Sequence, residues 1–176
     1  DRKQVNSITP TAANAATYTI TLNTKIATYL SDASATVAEI TAGLVAAFAA
    51  ITDGEFVENT AADGATLLTV TAGTSGKPFT QTSSSTAGTL VTATTVSNLS
   101  SSDVNDTDNW SAGTVLAAGE DIYVDNTSVS LLYNLDAHAA VTVASMSVFS
   151  SFTGTVGLPE PTVDGPAYRA YRPPCF

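Results

Sequence analysis

The segment Thr17-Tyr18-Thr19-Ile20-Thr21-Leu22 alternates without a break between threonine and a large apolar residue. On a pleated strand successive side chains point to opposite faces, so Tyr18, Ile20 and Leu22 share one face and the threonines the other. A segment of this kind is a half-buried strand, and it requires other elements to cover its apolar face. The rest of the chain is suited to supply them. Apolar residues make up 44% of it and charged residues 12%, against roughly 25% charged in ordinary soluble domains. Thr, Ser and Ala stand where Lys, Glu and Arg are usual, and β-branched residues pack well on a pleated surface. So little charge with that apolar share argues for a buried core, not disorder. The 176 residues suffice for one medium domain or two small ones.

The charges present are mostly acidic: 16 Asp and Glu against 6 Lys and Arg, a formal charge of −10. Arg2, Lys3, Lys25 and Lys77 lie in the first half, Arg169 and Arg172 near the end, and nothing basic lies between them. Nucleic-acid backbones and anionic membranes are bound through Lys and Arg, so neither is an expected partner. No stretch approaches the roughly 20 apolar residues of a membrane helix. The one cysteine, Cys175, has no partner for an intrachain disulfide and leaves the redox compartment open. No signal peptide is visible, and a chain starting at Asp1 without methionine reads as processed, trimmed or incomplete at its start.

Residues 1–16, polar and containing Pro10, read as an N-terminal arm. Asn23-Thr24 reads as a turn after the alternating strand, and Lys25 to Tyr29 as a second strand. Thr36 and Glu39 fit a capping box. Val37, Ile40, Leu44, Phe48 and Ile51 then fall on one helical stripe, with Asp53-Gly54 expected to stop the helix. Strands are expected at Glu55–Asn59 and Thr66–Ala72, with a hairpin at Ala62-Asp63-Gly64, and again from Leu90 to Val96. Thr74 to Pro78 is read as a loop and Phe79 as an anchor. Residues 17–97 thus form an expected α+β domain, with one helix on an antiparallel sheet.

Residues 98–109, polar and acidic, are the expected linker. From 110 to 158 short apolar pairs recur between small polar turns: Ile122/Val124, Val129/Leu131, Val141/Val143, Met146/Val148 and Val156/Leu158. This suits the coils of a β-solenoid or a small sandwich. The chain is therefore expected to be mainly β with one helix. Residues 159–176, rich in Pro, Tyr and Arg, read as an extended interaction tail. Tyr168, Arg169, Tyr171, Arg172 and Phe176 are its candidate interface residues, since aromatic and Arg side chains dominate interface energetics.

Catalytic sets are sparse. His138 is the only histidine, so a Ser/His/Asp triad would have to use it, with Asp136 the nearest acid, and no Gly-x-Ser-x-Gly elbow is present. Asp103, Asn105, Asp106 and Asp108 are dense hard-oxygen ligands and the only calcium candidate, but the turn glycine and closing Glu of a calcium loop are absent. A solvated acidic linker is the competing reading. Glu120 and Asp121, with Asp125 beyond, could pass for a glycosidase pair, but neighbours on a strand point to opposite faces, and turn chemistry leading into Ile122 is the expected role. Sequons at Asn98, Asn105, Asn109 and Asn126 arise readily in a chain this rich in Thr and Ser. Trp110 is expected to seal the start of the second domain. No cofactor is implied, and no enzyme.

Two sets of motifs carry a family resemblance. The first runs from Tyr18-Thr-Ile-Thr-Leu-Asn through Thr36-Val-Ala-Glu-Ile and Asp63-Gly-Ala-Thr-Leu-Leu-Thr-Val-Thr-Ala to Gly76-Lys-Pro-Phe. It resembles a small domain common in tailed-phage structural proteins. The second comprises Asn109-Trp-Ser, Gly119-Glu-Asp-Ile-Tyr-Val, Ser130-Leu-Leu-Tyr-Asn-Leu-Asp, Ser151-Phe-Thr-Gly-Thr-Val-Gly-Leu-Pro and Tyr168-Arg-Ala-Tyr-Arg-Pro. It is similar to a group of phage virion proteins that run on into further β-repeats. The resemblance implies a virion component, a homotrimer with other capsid or tail subunits as partners. The stop at Phe176 favours a short capsid decoration or cement protein over a long fibre. The alternatives are a tail-associated or host-recognition module and a surface-polysaccharide hydrolase.

Overall fold

The computed structural model describes residues 1–135 and 138–157. It is mainly β, with nine strands and two α-helices among those residues and no closed sheet. The alternating segment becomes β2 (Thr17–Leu22), with Tyr18, Ile20 and Leu22 wholly buried. Asn23 takes a positive φ of 54° at the turn, a conformation Asn tolerates better than most residues. The turn leads into β3 (Lys25–Leu30), paired antiparallel with β2 through all six residues.

Residues 1–16 do not form an arm. Val5–Pro10 is β1, an inner strand of a four-stranded sheet ordered β4 (Thr60–Asp63), β5 (Leu68–Thr71), β1, β7 (Leu90–Val96). Its inward side is Gln4, Asn6, Ile8 and Pro10, and the two amides there hide the apolar alternation. Both amides are buried and partnered: Gln4 Nε2 donates to the Phe79 carbonyl at 2.9 Å, and Asn6 Nδ2 to Gln81 Oε1 at 3.3 Å. Pro10 sits at the strand's end, where a missing N–H is tolerated.

The capping box forms as expected. Thr36 Oγ1 accepts from the Glu39 amide at 3.2 Å, while Glu39 Oε2 accepts from the Thr36 amide at 3.3 Å. The helix is α1 (Val37–Ala49), with Ile40, Leu44 and Phe48 buried. Asp53-Gly54 does not stop it. α1 ends at an αR-configured Ala50, and Gly54 begins a second helix, α2 (Gly54–Glu58), in place of the expected strand. α2 is too short to show a period, and its one buried residue, Phe56, meets Phe48 edge-on with ring centroids 4.7 Å apart. The hairpin follows as β4 (Thr60–Asp63) and β5 (Leu68–Thr71).

A strand with no apolar residue, β6 (Gln81–Ser85), pairs with β2 to complete the sheet β3-β2-β6. β7 (Leu90–Val96) flanks β1. The two sheets meet where Ser83 Oγ donates to the Leu90 carbonyl at 2.7 Å. At their other margins α1 packs on both β3 and β4. One core of Ile8, Tyr18, Ile20, Leu22, Ile40, Leu44, Leu68 and Val70 fills the space between.

Beyond β7 the backbone pairing changes direction. β8 (Asp121–Val124) and β9 (Ser145–Val148) are parallel, with Ile122 opposite Met146 and Tyr123 opposite Ser147. Leu131 and Val156 form a further parallel bridge. Contacts across these segments recur at a sequence separation of 24 or 25: Ser145 Oγ to Asp121 Oδ1 at 2.5 Å, and the Thr155 amide to Ser130 Oγ at 2.9 Å.

Candidate functional site

The segment expected as a solvated linker is exposed at Ser101, Asn105 and Thr107 to Asn109 but contains a buried polar hub. Asn98, Ser100, Asp103 and Val104 are all buried. Asp103 is wholly enclosed and receives three N–H donors: Asn98 Nδ2 at 2.5 Å, Asn134 Nδ2 at 2.6 Å and the Asn105 amide at 2.9 Å. Asn109 Nδ2 adds bonds to the Ser100 and Asp103 carbonyls, at 2.7 and 2.8 Å. The hub joins the end of β7 to Asn134 in the second half. Most buried polar groups in proteins are partnered in this way; within the hub Asn98 Oδ1 is buried without a hydrogen-bond partner among the described residues.

This arrangement bears directly on the calcium candidate. Both Asp103 oxygens face amide hydrogens, whereas a calcium ion needs converging oxygens. Asn105 Oδ1 lies 2.5 Å from His138 Nε2. Asp106 Oδ1 caps the 3₁₀ turn Thr107–Asn109 by accepting from the Asp108 amide at 3.2 Å. Among the described residues no three His, Cys, Asp or Glu side chains are grouped to hold a metal. Asp136, the acid considered for a triad with His138, lies outside the described residues. So do Tyr168, Arg169, Tyr171, Arg172 and Phe176.

Trp110 is half-buried, and its Nε1 donates to the Val104 carbonyl at 2.9 Å, which fixes the ring against the hub. The ring borders two spaces. One is an apolar cavity of about 230 Å³ lined by Trp110, Ile122, Leu131, Val143, Met146 and Val156 among others. The second is a groove of about 260 Å³ bordered by Trp110, Ser111, Thr114, Glu120, Asp121 and Tyr123 among others. Glu120 belongs to the turn before β8, strand alternation starts only at Asp121, and both residues border one groove.

The β8–β9 pair is covered unequally. On the face shared by Ile122, Val124, Met146 and Val148, the two β8 residues are each 6% exposed. Their β9 neighbours Met146 and Val148 are 48% and 54% exposed. On the opposite face Tyr123 stacks on Phe149, with centroids 6.3 Å apart and planes inclined by 27°. Neither surface was singled out from the sequence, where Met146 and Val148 read simply as a core pair.

Compared with known proteins, the chain matches no family model and no curated relative. No helix among the described residues is long and apolar enough to cross a membrane.

Proposed function

We propose that this protein is a structural assembly protein of a phage virion, of the capsid decoration or cement type. One observation carries the reading: the apolar face of the parallel pair is buried at β8 and about half exposed at β9. Among the described residues β9 pairs only with β8; a strand whose second edge is unpaired there and which exposes Met and Val is a template for another chain, and contiguous exposed apolar surface marks interaction sites. Parallel pairing at spacings of 24, 25 and 30 residues supports a solenoid-like stack in which β9 is a rung open to a partner subunit. The likeness of both halves to virion proteins supports the setting, and a homotrimer bound to other virion subunits is the assembly we favour. Repetition on a lattice converts weak single contacts into firm attachment through effective concentration. The Tyr168–Arg172 segment adds basic and aromatic groups complementary to an acidic neighbour.

The test is oligomeric state in solution by light scattering across a dilution series. The native chain is expected to run as a trimer at micromolar concentration, and a Met146→Asp, Val148→Asp double variant as a folded monomer. A native chain that stays monomeric at every concentration would overturn the proposal.

A further inference from the structure

We infer that the groove between Trp110 and Tyr123 is a binding site for a neutral or amino-substituted pyranose ring. This goes beyond the assembly reading and uses the opposite face of the β8–β9 pair. The groove has two aromatic borders. Trp110 is held in place by its bond to the Val104 carbonyl. Tyr123 is 63% exposed and is braced by its stack on Phe149, itself 46% exposed. Leaving the Tyr123 ring in water forfeits the burial it would normally supply, so a ligand in the groove that covers it gains by that much. Aromatic faces are electron-rich and attract the weakly positive C–H face of a sugar ring, or an ammonium group.

The groove's polar side fits the same ligand. Glu120 uses Oε2 to accept from the Ala117 amide at 2.8 Å, and Asp121 uses Oδ1 to accept from Ser145 Oγ at 2.5 Å. These bonds hold both carboxylates in position, while Oε1 and Oδ2 have no partner among the described residues. Two fixed acceptors beside an aromatic wall suit a pair of ring hydroxyls, because hydrogen bonds to charged acceptors are the strong ones. Ser111 and Thr114 hydroxyls border the groove as well. A volume of about 260 Å³ lies just under the range of drug-sized sites, roughly 300–1,000 Å³, which matches one sugar ring better than a peptide. With no basic residue between Lys77 and Arg169 and two carboxylates at the groove, uronic and sialic acids are excluded by like charge.

Trp110 is the only tryptophan, so its fluorescence reports the site directly. The full chain would be titrated with methyl glucoside, methyl galactoside, N-acetylglucosamine, glucosamine and glucuronate. At least one neutral or amino sugar is expected to shift the emission saturably, with a dissociation constant of about 0.1–10 mM, as befits a single small ring. Glucuronate is expected to give no shift. Tyr123→Ala should weaken binding at least about tenfold, the equivalent of about 1.4 kcal/mol, while Tyr123→Phe keeps it. A Val148→Asp variant should bind as the native chain does, because Val148 borders neither the groove nor the apolar cavity beside Trp110, which separates this site from the assembly face. No saturation by any neutral or amino sugar up to about 50 mM, equal binding of glucuronate, or undiminished binding by folded Tyr123→Ala would each overturn the inference.

Discussion

Asp103 shows how far a residue's role can depart from its sequence setting. In the string Ser-Ser-Ser-Asp-Val-Asn-Asp-Thr-Asp it reads as one carboxylate among several in a polar stretch, and nothing local marks it for burial. Its enclosure depends on Asn134, 31 positions away, a distance no short-range pattern spans. Replacing Asp103 with Ala removes the acceptor for three N–H groups in a buried setting and is expected to cost about 3 kcal/mol, since each orphaned donor carries a desolvation penalty of order 1–3 kcal/mol. A urea titration of the native and variant chains measures this, and a loss below about 0.5 kcal/mol, the usual size of surface effects, would show the hub to be dispensable. Gly73 makes a different case. A Cβ there would lie 1.9 Å from the Glu58 carbonyl oxygen, which is backbone at the end of α2 and cannot swing aside. Gly73→Ala is expected to destabilise by about 2–4 kcal/mol through forced backbone movement, read as a drop in the thermal midpoint. By contrast Thr36 and Glu39 were legible as a pair, because a capping box is written within four consecutive residues.

Among the elements, legibility followed how much apolar residue each strand or helix carries. β2 and α1 bear large side chains at clean periods of 2 and 3.6, and both lie where those periods place them. β6 has none, and β1 turns two amides inward. Such strands exist because neighbouring strands and side-chain partners fix them, and propensity alone does not reveal that. The groove and the half-exposed β9 face were illegible for a related reason. A Met–Val pair looks the same in sequence whether or not something covers it. The contact between α1 and β3 can be tested by pH. Tyr29 Oη donates to Glu39 Oε1 at 2.5 Å. That bond, with some burial, pushes the phenol up to about 12 from 10.0. It also holds the Glu39 carboxyl below its ordinary 4.5. A raised folded value means that the Tyr29 contribution is whole below pH 10.0 and is lost as pH climbs towards about 12. A lowered value means that the Glu39 contribution is whole above pH 4.5 and fades as pH falls further. The stability gap between the native chain and Tyr29→Phe is therefore expected to be widest between those limits and to shrink on both sides. A gap that stays constant from pH 3 to pH 12 would show that the bond does not couple to stability.

For the whole molecule the decisive property is a charge of −10 on a body whose candidate contact surface is apolar. Copies of such a chain repel one another at long range while gaining free energy when Met146 and Val148 leave water. The Debye length shrinks from about 14 Å at 0.05 M salt to about 4.5 Å at 0.5 M, following the inverse square root of ionic strength from about 10 Å at 0.1 M. Repulsion between neighbouring copies is screened over that range and the apolar gain is left intact. Self-association is therefore expected to strengthen as sodium chloride rises from 50 to 500 mM, with the dissociation constant falling several-fold in a light-scattering dilution series. A contact built on Arg169 and Arg172 against an acidic neighbour would respond in the opposite sense, because screening weakens attraction as readily as repulsion. The sign of the salt effect thus distinguishes the β9 face from the basic tail as the main site of assembly. Association that weakens with salt in the native chain, and survives in Met146→Asp, Val148→Asp, would move the interface from β9 to the tail.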